Sequence, residues 1–143
     1  MSLKLFPLIC CLLVSVAVKS QQTKDSLPPT ADSSSLIFTR VEKEAEFPGG
    51  VEGWKKYLQK KLDPLVPVRN NAPVGRYDVV VKFIVSKDGS LSRIVARTNH
   101  GYGMEDELIS VIKKGPKWMP ATQNGIPVNA YRIQHITFTV ESK

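Results

Sequence analysis

One stretch, RYDVVVKFIVSKDGSLSRIVARTN at residues 76–99, restricts the possible folds more than any other part of the sequence. Two runs rich in β-branched residues flank Asp88-Gly89, a dipeptide that favours a two-residue type I′ turn between antiparallel strands. The pairing predicted from that turn is Lys87 with Ser90, Phe83 with Ile94, and Val81 with Ala96. One face of this hairpin is then apolar and requires a cover of helices; it carries Val79, Val81, Phe83, Val85, Ile94 and Ala96.

Two amphipathic patterns supply that cover. The first has apolar residues three and four positions apart, which form one face of a helix that ends before Asp63-Pro64. Its predicted core residues are Val51, Trp54, Leu58 and Leu62. The second has acidic residues at its start and lysines at its end, which complement the helix dipole, and it stops at Gly115-Pro116. Its predicted core residues are Met104, Leu108, Val111 and Ile112.

The remaining segments predict shorter elements. LIFTRVE at 36–42 is predicted to be a first strand, and LVPVRNNAPVG at 65–75 a loop. PKWMPATQNGIPV at 116–128 is interpreted as a stunted hairpin, in which Asn124-Gly125 forms the turn and Pro120 and Pro127 remove ladder donors on the two arms. Trp118 attaches this hairpin to the core. The last long strand is predicted at Ala130–Val140.

The predicted order of elements is strand, helix, hairpin, helix and strand. This order indicates an α+β domain, with two helices packed on one face of a three-stranded antiparallel sheet. We place the domain at residues 36–143. A short disordered linker is predicted before it, at residues 21–35, because Ser, Thr, Gln, Asp and Pro predominate there.

Residues 1–20 have the pattern of a secretory signal peptide. Lys4 precedes an apolar run, and Val18 and Ser20 occupy the positions that a signal peptidase reads. The apolar run is shorter than the roughly 20 residues that a spanning helix needs, so we expect export and cleavage after Ser20. An uncleaved membrane anchor is the alternative. Because both cysteines, Cys10 and Cys11, lie in this segment, the processed chain would have no disulfide and no cysteine-ligated metal.

The sequence offers no catalytic constellation, and it predicts no cofactor and no metal site. His100 and His135 are isolated, without the spacing of metal ligands. Glu42, Glu44 and Glu46 alternate, and solvated residues that protect a sheet edge are favoured over paired-carboxylate chemistry. A net charge of +7 suits nucleic acid, but an exported chain rarely meets it. Neither an enzyme nor a nucleic-acid binder is predicted.

The last strand is the remaining functional candidate. At the edge of a three-stranded sheet, its free N–H and C=O groups could pair with an extended peptide, with backbone hydrogen bonds giving affinity and alternate side chains giving selectivity. An edge that is merely tolerated is the alternative, and the residue pattern alone favours neither. A homodimer formed through the exposed strand also stays open.

Four segments together resemble the C-terminal domain of TonB proteins, in the version common among Bacteroidetes. They are VEKEAEFPGG (41–50) with Trp54, Tyr57 and Leu58 after it, VVVKFIVSKDGSL (79–91), VIKKGPKWMPATQNGIPV (111–128) and ITFTV (136–140). The resemblance extends from Leu36 onward. It implies a two-helix, three-stranded periplasmic domain that binds the TonB box, a short peptide of outer-membrane TonB-dependent receptors, in support of transport across the outer membrane.

By position, the resemblance implies that the receptor peptide adds to the last strand as a further strand. The contact then falls on Tyr131, Arg132, Ile133, Gln134, His135 and Ile136. Energy-transducing members also have a long Pro-rich spacer and an uncleaved anchor that meets inner-membrane motor proteins. This sequence has a predicted signal peptide and a short linker instead. The alternative function is therefore a stand-alone periplasmic adaptor or scaffold that binds another envelope protein without transducing energy.

Overall fold

The computed structural model of this protein describes residues 36–142, so the predicted signal peptide and linker lie outside the described residues. The chain runs through β1 (Ile37–Phe38), α1 (Gly50–Lys61), α2 (Val66–Arg69), β2 (Gly75–Val85), β3 (Leu91–Ala96), α3 (Met104–Lys113), β4 (Ala121–Gln123) and β5 (Ile126–Val140). The predicted α+β class and the two longer helices are confirmed.

The sheet is mixed, so the prediction of a three-stranded antiparallel sheet is wrong. Its strand order is β1-β5-β2-β3, and β4 pairs with the first residues of β5. β5 is antiparallel to the whole of β2, from Gly75 opposite Val140 to Val85 opposite Ala130, whereas β1 is parallel to β5. Side chains alternate along a strand in the same way in both pairing directions, so the sequence pattern does not indicate the direction of β1.

β1 is also much shorter than the strand predicted at 36–42. Only Ile37 and Phe38 pair with β5, and the chain bends immediately afterwards. The following residues instead form two single bridges, Lys43 with Thr122 in β4 and Glu46 with Met119 just before β4. Along this path Ala45 and Phe47 are buried in the core.

The hairpin between β2 and β3 forms around a loop that is one residue longer than predicted. Gly89 N–H donates to Ser86 O at 2.8 Å, and Ser86 N–H donates to Ser90 O at 2.9 Å. Gly89 adopts a left-handed conformation with φ 82°, as a three-residue loop requires. A Cβ at this position would lie 2.2 Å from Trp118 O, so glycine is also needed for the close approach of the two backbones.

The longer loop shifts the register of the hairpin next to the turn. The predicted pair Lys87–Ser90 is wrong, because Ser86 pairs with Ser90, and the next observed pairs are Val85–Leu91 and Ile84–Ser92. The predicted pair Phe83–Ile94 falls at the irregularity between the two registers, where no regular pair forms. A bulge follows, at which Arg93 has φ 48°. It restores the predicted pair Val81–Ala96, which is confirmed. The bulge absorbs the extra loop residue, so the apolar face of β2 still meets the helices.

The Asp88 carboxylate in this loop predicts an acid dependence of stability. Hydrogen bonds from the Ser90 hydroxyl (2.6 Å) and Ser90 N–H (3.0 Å), with Lys117 Nζ 3.4 Å away, lower the pKa of Asp88 from 3.8 to about 2. Because the pKa is lower in the folded state, the stabilisation is present above about pH 4 and is lost as the pH falls towards 2. Urea unfolding at these two pH values measures the effect: as the pH falls from about 4 to 2, the free energy of unfolding should decrease less in Asp88→Asn than in the unchanged protein. Equal losses would contradict this role of Asp88.

The core lies between the sheet and the two longer helices. All four predicted core residues of α3 are buried, which confirms that face of the helix. In α1, Trp54 is buried, and Leu58 and Leu62 pack partly against the core, but Val51 is 72% exposed. The prediction that Val51 is a core residue is therefore wrong, because the packing of α1 against the core begins one turn later, at Trp54.

The C-terminal hairpin has the predicted turn and a longer final strand. Asn124 and Gly125 have φ values of 50° and 74°, and they connect β4 directly to β5. β5 begins at Ile126 and includes Pro127, so the predicted start of the last strand at Ala130 is wrong. In the segment predicted to be a loop, residues 65–75, four residues form the short helix α2, whose first turn contains Pro67.

Candidate functional site

The open side of β5 is the feature of this fold most suited to binding another chain. Within residues 36–142, β1 lies opposite β5 only at Asn129 and Ala130, and no strand pairs with residues 132–140 on the side away from β2. The last strand therefore lies between β1 and β2 and is not the outermost strand, as a three-stranded sheet would have made it. Most of its length is nevertheless unpaired on one side.

The direction of the β5 peptide groups follows from the pairing of β2. Val80 points its backbone groups towards β3, since its carbonyl oxygen accepts from Arg97 N–H at 2.7 Å. Successive residues of a strand point these groups to opposite sides, so Val81 points towards β5, where it lies opposite Gln134. Even-numbered residues of β5 thus bond to β2. The residues whose N–H and C=O groups face the open side are Tyr131, Ile133, His135, Thr137 and Thr139.

The six predicted contact residues divide into two sets by this alternation. Tyr131, Ile133 and His135 direct their backbone groups to the open side and their side chains to the solvent face of the sheet. Arg132, Gln134 and Ile136 bond to β2, and their side chains lie on the face covered by the helices. A strand added here would bond to the backbone of the first set, and its side chains on the helical face would contact the side chains of the second set. The binding role of all six residues stays a prediction.

A groove of about 260 Å³ lies beside β5 on the helical face of the sheet. Phe47, Trp54 and Trp118 form its apolar floor, and β5 contributes Arg132 and Gln134. The exposed side chain of Val51, at the start of α1, forms part of the rim. Because the groove is bordered by β5 and not by β2, it lies on the open side of the strand.

The floor of the groove is held rigid by aromatic packing. The ring centroids of Phe47, Trp54 and Trp118 lie 5.2 to 5.7 Å apart, and Trp118 packs edge-on against Phe83 of β2 at 5.1 Å. Tyr57 stacks beside Trp54 and donates from its hydroxyl to Val111 O at 2.9 Å. Burial raises the pKa of the Tyr57 hydroxyl, so it keeps this proton and ties α1 to α3.

The rim of the groove carries both signs of charge. Arg132 Nη1 lies 3.4 Å from Glu44 Oε2, in a partly exposed ion pair. The Arg132 Nε atom is buried and has no hydrogen-bond acceptor among the described residues. Glu46 is exposed and forms no ion pair with any residue of the described part. Two carboxylates and one guanidinium therefore surround an apolar floor.

The strand could be identified from the sequence, whereas the groove could not. The alternation of the acidic residues predicts a single solvated row, but only Glu44 and Glu46 of that row line the groove. Glu42 instead accepts a hydrogen bond from Asn124 N–H at 2.8 Å. The available signal was the Phe-Pro-Gly-Gly motif, because its phenylalanine, Phe47, packs between the two tryptophans of the floor.

The two histidines do not form a site with each other. His100 Nε2 lies 2.8 Å from Asp78 O, and its ring packs against Tyr77. His135 is exposed on the solvent face of β5. Within residues 36–142 there is no group of three or more residues that could hold a metal ion.

Residues 78–140 match the protein family described as Gram-negative bacterial TonB protein C-terminal. The matched segment contains all of the central hairpin except the first three residues of β2, together with α3, both strands of the C-terminal hairpin and all six predicted contact residues. Searches of curated proteins and of solved structures gave no significant match. Of the helices described between residues 36 and 142, none is long and apolar enough to cross a membrane.

Proposed function

Because this chain belongs through residues 78–140 to the TonB C-terminal family, we propose that it binds the TonB box of an outer-membrane receptor by adding that peptide as a strand to β5. Domains of this family are associated with transport in the cell envelope, interact with outer-membrane receptors and are not enzymes. The proposal narrows this general role to one strand and one mode of contact.

The observation that carries the proposal is the unpaired side of β5. Four residues, from Ile133 to Thr139 at every second position, direct donors and acceptors away from β2, with no partner strand among the described residues. An extended peptide can pair with such a row without any rearrangement of the sheet, and two-residue periodicity in the contacts is the signature of this mode. The bound peptide would lie on the same side of β5 as β1, and it would begin along β5 where the pairing with β1 ends.

We further propose that the chain acts in the periplasm after removal of residues 1–20. The N-terminal residue of the protein isolated from the cell envelope distinguishes the two possible arrangements. Gln21 indicates a released domain, whereas Met1 indicates a tethered one that faces the periplasm and could contact inner-membrane motor proteins. A released domain would bind receptors without itself transmitting force.

The proposed function can be tested with synthetic peptides from the N-terminal segments of outer-membrane receptors. We expect saturable binding to the purified protein, measured by isothermal titration calorimetry at low salt. In a scan of N-methylated versions of a binding peptide, methylation at every second residue should weaken binding, because only alternate peptide N–H groups face β5. The intervening residues serve as the internal control.

Two results would count against this function. No saturable binding to any receptor peptide would reject it. Binding without a two-residue period in the N-methyl scan would reject strand addition. Recovery of only non-receptor envelope proteins after crosslinking in cells would then favour the stand-alone adaptor.

A further inference from the structure

We propose that the groove beside β5 selects which strand is bound: it takes one large apolar side chain, and its acidic rim favours a lysine or arginine on the same face of that strand. The inference rests on the proposed function, because the bound peptide must lie along β5. It adds a sequence preference to a contact that backbone pairing alone would leave nearly independent of sequence.

The geometry places alternate side chains of an added strand over the groove. In a strand paired with β5, the residues that share a face with Arg132 and Gln134 point towards the helices. Those two side chains line the groove, together with the aromatic floor of Phe47, Trp54 and Trp118. One side chain of the added strand therefore enters a site of about 260 Å³, a space suited to leucine, methionine or phenylalanine.

The exposed position of Val51 supports an apolar occupant. This valine is 72% exposed at the rim of the groove, on the first turn of a helix that otherwise turns its apolar side to the core. A side chain lying in the groove would cover Val51 and the accessible edges of the aromatic floor. Burial of apolar surface is favourable in proportion to its area, so an apolar side chain gains affinity there and a small polar one does not.

Charge complementarity determines the second part of the preference. The whole chain has a net charge of +7, yet the groove has two carboxylates, Glu44 and Glu46, against one guanidinium. Arg132 is already paired with Glu44, so Glu46 is the carboxylate left to interact with a ligand. A lysine or arginine two residues from the apolar side chain lies on the same face of the strand and can approach it. An acidic residue there would be repelled.

The preference can be measured on the receptor peptide that binds in the calorimetric experiment. Each residue in turn is replaced by leucine, serine, lysine and glutamate, and the dissociation constants are compared at low salt. At one position we expect leucine to bind at least about tenfold more tightly than serine. Two residues away, lysine should bind about two- to fivefold more tightly than glutamate, with a difference that shrinks at high salt.

Substitutions in the protein give the matched test. Glu46→Lys should reverse the preference between lysine and glutamate in the peptide. Glu52→Lys is the control, since Glu52 is also an exposed glutamate, lies on α1, pairs with Lys55 and does not line the groove. Val51→Ser should reduce the advantage of leucine over serine. Both Val51 and Glu46 are exposed, so these variants should fold normally.

The outcomes separate this inference from the function on which it rests. A peptide that shows the two-residue N-methyl period but no residue preference would overturn the groove proposal and leave strand addition intact. An identical response of Glu46→Lys and Glu52→Lys would also overturn it. If no receptor peptide binds at all, both proposals fail.

Discussion

Replacement of Trp118 by alanine should lower the free energy of unfolding by about 3–5 kcal/mol, the cost of truncating a large buried aromatic side chain. Trp118 is 4% exposed, and its ring contacts Phe47, Trp54 and Phe83. It thereby joins the sheet, the start of α1 and the C-terminal hairpin in one cluster. Loss of the ring leaves a cavity at the point where these three parts meet. Since a domain of this size is stable by only about 5–15 kcal/mol, the variant should be close to unfolding.

Met119 provides the control for this experiment. It is the next residue, it is 45% exposed, and its backbone makes the bridge to Glu46 whatever its side chain is. Met119→Ala should change the free energy of unfolding by no more than about 0.5 kcal/mol. Urea denaturation, monitored by circular dichroism, measures the free energy of unfolding of both variants. A Trp118→Ala variant within about 1 kcal/mol of the unchanged protein would show that Trp118 is not a principal core residue.

The second large effect concerns binding. Ile133→Pro should weaken the binding of a receptor peptide at least about tenfold, because it removes a donor on the open side of β5 and places a ring where the added strand must lie. The same substitution should be tolerated by the fold, since proline is accepted where the lost N–H faces solvent. Pro127 already occupies a position with this orientation on the same strand.

Ile133→Ala separates the contribution of the Ile133 backbone to peptide binding from the contribution of its side chain. It keeps the N–H group and shortens a side chain that is 45% exposed on the solvent face of the sheet. We expect it to bind the peptide nearly as well as the unchanged protein. Calorimetric titration of both variants, with thermal unfolding to verify folding, makes the comparison. Equal affinities of the proline and alanine variants would refute a contact through the backbone of β5.

Elements with strong periodicity could be predicted from the sequence. The four apolar residues of α3 and the alternating valines of β2 each allow one orientation towards the core, and the structure buries them as expected. The Asn124-Gly125 turn follows from the preference of these residues for positive φ. Because the local preferences of these segments agree with the global fold, the sequence of each short segment was sufficient to predict its structure.

Features that depend on contacts between distant segments could not be predicted. The loop after Ser86 has three residues and not the predicted two, because Asp88 bonds to Ser90 and Gly89 packs against Trp118. The turn preference of the Asp-Gly dipeptide takes neither contact into account. Val51 fits the helical pattern but lies one turn before α1 reaches the core. The groove is assembled from three separate parts of the chain, so no single stretch encodes it.

Amide hydrogen exchange along β5, measured residue by residue by NMR with and without a saturating receptor peptide, tests the central claim most directly. In the free protein, Gln134 and Ile136 should exchange slowly because they bond to β2, whereas Ile133, His135 and Thr137 should exchange faster. Peptide binding should slow exchange at Ile133, His135 and Thr137. Unchanged exchange at these three residues in a saturated complex would contradict the addition of a strand to β5.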